Sequence, residues 1–132
     1  MQGKQNLALH DAEIVAVAVD RLNGVACLSL RQEDSVACSL GLYGLKAFRC
    51  EDMTLQNVIS RVLRSSAGEI SGKALEYWLK WITSLSDADS WLSDERLLDW
   101  RSACEAGNLE LVVLEPSAGA EVAALCERLV LS

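Results

Sequence analysis

Apolar positions recur at a period of two through the first fifty residues, at intervals of three and four through the middle, and in nearly unbroken runs from residue 109 onward. Residues 13–19 (EIVAVAV) and 25–31 (VACLSLR) are rich in Val, Ile and Leu and are joined through Asn23-Gly24. Both turn residues tolerate positive φ, which makes that link a strong hairpin signal. In residues 35–42, Val36, Cys38, Leu40 and Leu42 fall on one face and Ser35, Ala37, Ser39 and Gly41 on the other, the alternation of a half-buried strand. Gly44 then turns the chain into residues 45–50, read as a fourth strand completing an antiparallel meander.

After Asp52 the period changes. Leu55, Val58, Ile59, Val62 and Leu63 lie at helical spacing, with Thr54 as N-cap and Met53 placed to staple onto Val58. Val58, Ile59 and Val62 are also β-branched, so an extended segment competes with the helix for residues 55–63. Residues 71–85 carry Leu75, Trp78, Leu79, Ile82 and Leu85 on one stripe behind the candidate cap Ser71. A third helix begins after Ser93 and ends at Gly107, a natural residue for the position past a helix end. Residues 109–114 (LELVVL) and 120–131 (AEVAALCERLVL) return to β character, joined by 115–119 (EPSAG), where Pro and Gly together predict a second hairpin. Strands, a helical middle and closing strands, without alternation, predict an α+β fold. Its antiparallel sheet combines a four-stranded meander with a C-terminal hairpin, and two to three helices pack on it.

The length of 132 residues fits one domain spanning residues 1–132, large enough to bury a core without disulfides or metal. With 51% apolar and 23% charged residues, neither disorder nor a membrane protein is indicated. No apolar run approaches the roughly 20 residues that span a bilayer. The first ten residues hold one Lys and no apolar core of a secretory signal, so a cytoplasmic address is expected. Cys27, Cys38, Cys50, Cys104 and Cys126 are odd in number and form no C-x-x-C pair. That argues for reduced packing thiols over a disulfide framework or a zinc ribbon.

Charge divides the chain. Residues 1–66 carry seven acids and seven bases, whereas residues 67–132 carry twelve acids against five bases, the whole of the net charge of −7. A field of one sign draws a partner of the other and repels nucleic acid, so a basic protein is the first partner to expect. Keeping a small domain soluble would explain the same acids.

Catalytic signatures are largely missing. The single His, His10, precedes Asp11, but neighbours on an extended chain point apart and do not form a base with its orienter; support of the start of the sheet is the simpler role. There is no G-x-S-x-G and no phosphate loop, and Gly41-Leu42-Tyr43-Gly44 is not followed by a helix start. Asp87-Ala88-Asp89 resembles the opening of a calcium loop, but Trp91, Leu92 and Leu98 then stand where the ligand, the turning Gly and the bidentate Glu belong. No catalytic, cofactor or metal residue is therefore assigned. A carboxylate-dependent hydrolase stays as a lesser alternative among nineteen acids.

The acidic region does have aromatic company. Trp91 and Trp100 stand among Asp87, Asp89, Asp94, Glu95 and Asp99, with Arg96 the one base between them. Trp is enriched at binding hot spots and clustered carboxylates suit Lys and Arg on a partner, so these seven residues form the candidate partner-binding surface. Against that stands the ordinary tendency of Trp to be buried, strongest for Trp78 on its apolar stripe.

Leu9-His10-Asp11-Ala12, an apolar strand, Asp20 before Asn23-Gly24, a second strand, Phe48-Arg49 and Gln56-Asn57-Val58 together form a pattern. It resembles small bacterial domains assigned as immunity proteins of polymorphic toxin systems. The likeness covers about the first half, with the 115–121 hairpin in the same style. It implies a cytoplasmic, non-enzymatic inhibitor of one cognate toxin domain, often a nuclease with a basic cleft that the acidic half would suit. The expected assembly is a monomer or homodimer, with no nucleic-acid or membrane partner. An adaptor or subunit using an exposed sheet edge is the alternative of a different class.

Overall fold

The computed structural model describes residues 7–85 and 89–132; the first six residues of the leader reading, and Asp87 of the acidic segment, lie outside them. The elements run β1 (Glu13–Asp20), β2 (Val25–Arg31), β3 (Ala37–Tyr43), β4 (Ala47–Glu51) and β5 (Val58–Arg64). A 3-10 turn (Ser65–Ala67), α1 (Gly72–Trp81) and α2 (Asp94–Glu105) follow, then β6 (Glu110–Ala118), β7 (Glu121–Cys126) and β8 (Arg128–Leu131). The class is α+β, an antiparallel sheet with two helices among the described residues. No helix among them is long and apolar enough to cross a membrane.

The strands pair in the order β4-β7-β6-β5-β1-β2-β3-β8. β7 and β8 stand far apart in that order, yet Glu127 alone separates them along the chain, so their facing ends are within about 8 Å. The sheet must therefore curl until its ends meet. β3 bends into β4 through Gly44, at φ 63°, and β7 bends into β8 at Glu127. The two bent ribbons pair along both arms, β3 with β8 and β4 with β7. At the corner the Glu127 N–H donates to the carbonyls of Tyr43 (2.9 Å) and Gly44 (3.1 Å), the bend by which one strand passes between two sheets.

Closure gives the sheet an inside and an outside. Ile14, Leu28, Leu30, Leu40, Leu42, Ile59, Val112, Leu114 and Val122 fill the interior. Outside, α1 and α2 set Leu75, Leu79, Leu97, Trp100 and Cys104 against Leu111, Val113, Ala123 and Leu125. β6 and β7 are thus covered on both faces, and their residues must be apolar at consecutive positions.

Three expectations are corrected. The residue 45–50 strand forms, but it pairs with β7 and not with β3, so the meander has three strands and the residue 120–131 segment splits into β7 and β8. The helix over residues 55–63 does not form; the competing extended reading is right. β5 pairs with β6, with register shifts at Val58/Ile59 and Ile59/Arg61. Those shifts, and cover on both faces, turn Val62 to the interior and Leu63 to the helices, so adjacent apolar residues imitate a helical stripe. Thr54 caps nothing: its hydroxyl donates to the Gln56 carbonyl (2.9 Å), and Leu55 is fully exposed. The helix expected over residues 71–85 ends at Trp81, where Thr83 and Ser84 turn their hydroxyls back onto the Lys80 carbonyl. α2 begins behind Ser93, whose Oγ accepts the Arg96 N–H at 3.1 Å, and closes before Gly107 at φ 83°, as expected.

Candidate functional site

Folding offsets part of the charge asymmetry. Arg61 pairs with Glu115, Arg64 with Glu110, and Lys46 with Glu127; bases of the first half neutralise acids of the second. Arg101 bridges Glu76 of α1 and Glu105 of its own helix. Among the described residues, no ion pair engages Asp89, Asp94, Glu95 or Asp99.

Trp91 follows Asp89 by two residues, and Asp94, Glu95 and Asp99 lie on α2, the helix that carries its ring partner Trp100. The indole is 64% exposed and meets Trp100 edge to face, with ring centroids 6.3 Å apart at 85°. Its backbone N–H is fixed by the Thr83 carbonyl at 3.1 Å. Trp100 lies beneath, only 9% exposed and packed with Leu97 and Cys104 against the sheet. The structure thus separates the two tryptophans: Trp91 offers area to a partner, and Trp100 is its support. Asp94 and Glu95 occupy the first turn of α2, where carboxylates also favour the positive helix end. Arg96 lies with its guanidinium 6.0 Å from the Trp100 ring.

Sequence reasoning missed Leu98. It is 61% exposed, one turn from Asp94 and Glu95 on the same helix, and supplies an apolar centre to the acidic face. Its signal was its place one residue off the buried stripe of Leu97, Trp100 and Cys104.

The other cavities carry less chemistry. One, of about 510 Å³, is lined by Ala8, His10, Ala12, Gln32, Glu33 and Asp34. His10 Nδ1 donates to the Ser60 carbonyl at 2.6 Å and Nε2 lies 3.3 Å from Asp11 Oδ2. That contact, not expected between neighbours, arises because Asp11 adopts φ 66°. The bond to Ser60 first, and then the Asp11 charge, raise the imidazole above its ordinary value. Such a ring, held at both nitrogens, supports the junction of β1 and β5.

A second cavity, about 440 Å³, runs between Ser65, Ser66, Leu75 and Cys104. Behind it the buried Glu110 accepts from Arg64, from the Ser66 N–H (2.8 Å) and hydroxyl (2.7 Å), and from the Ser65 hydroxyl (3.3 Å). A carboxylate so fully engaged locks the turn after β5 onto β6. The five thiols are free, and burial pushes Cys104 up to about 11 and Cys126 up to about 12, the behaviour of packing residues. Among the described residues, no group of three or more His, Cys, Asp or Glu is arranged to hold a metal ion.

Comparison with family models, with curated proteins and with solved structures finds no match to this chain.

Proposed function

We propose that this protein is an immunity-type inhibitor, non-enzymatic, that binds and neutralises a cognate basic toxin domain of nuclease-like character. Its contact surface is the face formed by Asp89, Trp91, Asp94, Glu95, Leu98 and Asp99. The observation that carries this reading is Trp91, an exposed indole already ordered by its seat on Trp100, in a segment whose carboxylates Asp89, Asp94, Glu95 and Asp99 take part in no ion pair among the described residues. An ordered aromatic loses little entropy when a partner covers it. Surrounding carboxylates speed the encounter with a basic surface and match Lys and Arg at the rim. A nuclease cleft, built to hold phosphates, offers such a surface.

The test is capture of partners from the native host at low and high salt, followed by association kinetics with the recovered domain. A basic toxin domain released by salt is expected. D94K/E95K/D99K should slow its association, and Trp91→Ala should weaken binding about tenfold. Unchanged low-salt affinity in the charge-reversed chain would refute this surface.

A further inference from the structure

The groove beside Trp91 follows one whole strand. β4 pairs with β7 on one side, and among the described residues no strand pairs with its other side. Along that side lies a groove of about 420 Å³, lined by Ala47, Phe48, Arg49, Cys50 and Glu51 and, on the far bank, by residues that include Leu85 and Trp91. An open edge presents backbone donors and acceptors that another strand can satisfy. Edges are commonly blunted by Lys, Pro or a covering element, and β4 carries neither Lys nor Pro.

Its one base, Arg49, lines the groove and is held by its neighbours. The Arg49 guanidinium lies 4.3 Å from the Trp81 ring, donates to the Trp81 carbonyl at 2.8 Å and pairs with Glu51. The charges next to the Glu51 end of the groove are acidic: Asp52 follows Glu51 at the end of β4 and Glu121 lies across from Glu51 in the β4–β7 ladder, while Asp89 stands two residues before Trp91 on the far bank. Burial first, then the Glu51, Glu115 and Asp52 carboxylates, raise the Glu121 carboxyl, so carboxylates stand close together at that corner.

We infer that β4 receives an extended basic segment of the partner protein as an added strand, with apolar side chains of that segment resting against Leu85 and Trp91. Main-chain hydrogen bonds supply the affinity of such an addition, and alternate side chains supply the choice of partner. A second copy of this chain fits worse. It would oppose a net −7 with another −7, and twofold pairing centred on β4 would set Arg49 against Arg49. The inference deepens the reading of the Trp91 face and rests on it.

The probe is a capped Lys-Val-Lys-Val-Lys-Val-Lys peptide titrated into the isotope-labelled full chain and followed by amide NMR. Shifts are expected at the amides of residues 47–51 and at the Trp91 indole. The Glu-Val counterpart should bind about tenfold more weakly, and a version methylated on alternate backbone nitrogens should not bind. Leu85→Asp, at a site 76% exposed and therefore neutral to folding, should weaken binding about tenfold while Leu85→Met preserves it. Equal binding of the methylated peptide, or shifts that leave residues 47–51 untouched, would overturn the inference. Concentration-dependent shifts at β4 without peptide would also overturn it by assigning the edge to a second copy. Failure here leaves the salt-dependent toxin association intact, whereas failure of the Trp91-face reading appears as unchanged low-salt affinity in D94K/E95K/D99K.

Discussion

The two walls of the closed sheet are built to different rules. The wall of β1, β2 and β3 has no helix outside it, and its strands alternate. Leu28, Leu30, Leu40 and Leu42 point inward, while the outer surface carries Ala16, Ala18, Ser29 and Ser39 together with the half-exposed Val15. The wall of β5, β6 and β7 carries α1 and α2, so Leu111 to Leu114 are all buried, two to each side. Period-two alternation is a consequence of having water on one face; once helices replace the water, the pattern disappears although the backbone is the same. The difference extends to the surface proposed for a partner, because α2 and the segment before it carry the unpaired carboxylates and Trp91.

The comparison can be broken most severely in the covered wall. Leu125→Ala faces the helices and Leu28→Ala faces the interior, and both side chains are fully buried. Each should cost about 3 kcal/mol in chemical denaturation. They should differ in what loosens. Leu125→Ala removes a wall contact of Leu79 and Trp100 and should lower exchange protection in α1 and α2 first, whereas Leu28→Ala should lower protection throughout the sheet. Equal loss of helix protection in both would show that the two clusters behave as one. Ser29→Thr on the bare outer surface should stay within about 0.5 kcal/mol of the parent.

A smaller effect is expected where the walls are tied together at one end. Asn57, buried between β4 and β5, accepts from the Thr54 N–H (2.8 Å) and the Ala120 N–H (3.0 Å) and donates to the Thr54 carbonyl (2.8 Å). Asn57→Ala strands the buried Ala120 N–H, leaves that of the exposed Thr54 to water, and should cost about 2 kcal/mol by thermal or denaturant unfolding. Gly119 sharpens the point. At φ 75° its missing Cβ would collide with Asn57 Oδ1 and the Gln56 carbonyl, so Gly119→Ala should destabilise even though alanine is small. A Gly119→Ala chain as stable as the parent would mean that the Asn57 clamp does not set the geometry of this corner.

These particulars explain what could be read from the sequence. β1, β2 and β3 were legible because alternation and Asn23-Gly24 act over a few residues; Asn23 indeed closes its turn onto Asp20, with Nδ2 donating to Oδ2 at 2.6 Å. α2 was legible through Ser93 and Gly107. β5 was ambiguous because its bulges and double cover erased the period, and the partnership of β4 with β7 was hidden because pairing across about 75 residues leaves no local trace. The acidic segment was visible as composition. Which of its carboxylates lacked partners was not, because Arg61, Arg64 and Lys46 reach their acids only once the sheet has closed.

The smallest expected effect lies at the seam between the walls. There β1 meets β5 through one paired couple, Glu13 and Val58, with hydrogen bonds from Asp11 to Ile59, from Ile59 to Ala12 and from Ile14 to Asn57. His10 adds its bond to the Ser60 carbonyl, and that bond together with Asp11 raises the imidazole above 6.5. A group held more tightly when protonated stabilises the fold fully below its unfolded value, and that contribution fades as pH rises through the higher folded value. The His10 proton resonances should therefore titrate with a midpoint above 6.5. His10→Gln should lower the thermal midpoint slightly at acid pH and converge with the parent in alkaline buffer. The ring is exposed to solvent, which screens the charge and keeps the change small. Exchange at the Asp11 and Ile59 amides should follow the same pH course while β2 and β3 remain unaffected. A His10→Gln chain whose deficit grew with pH would reverse the sign of this linkage and remove His10 from the seam.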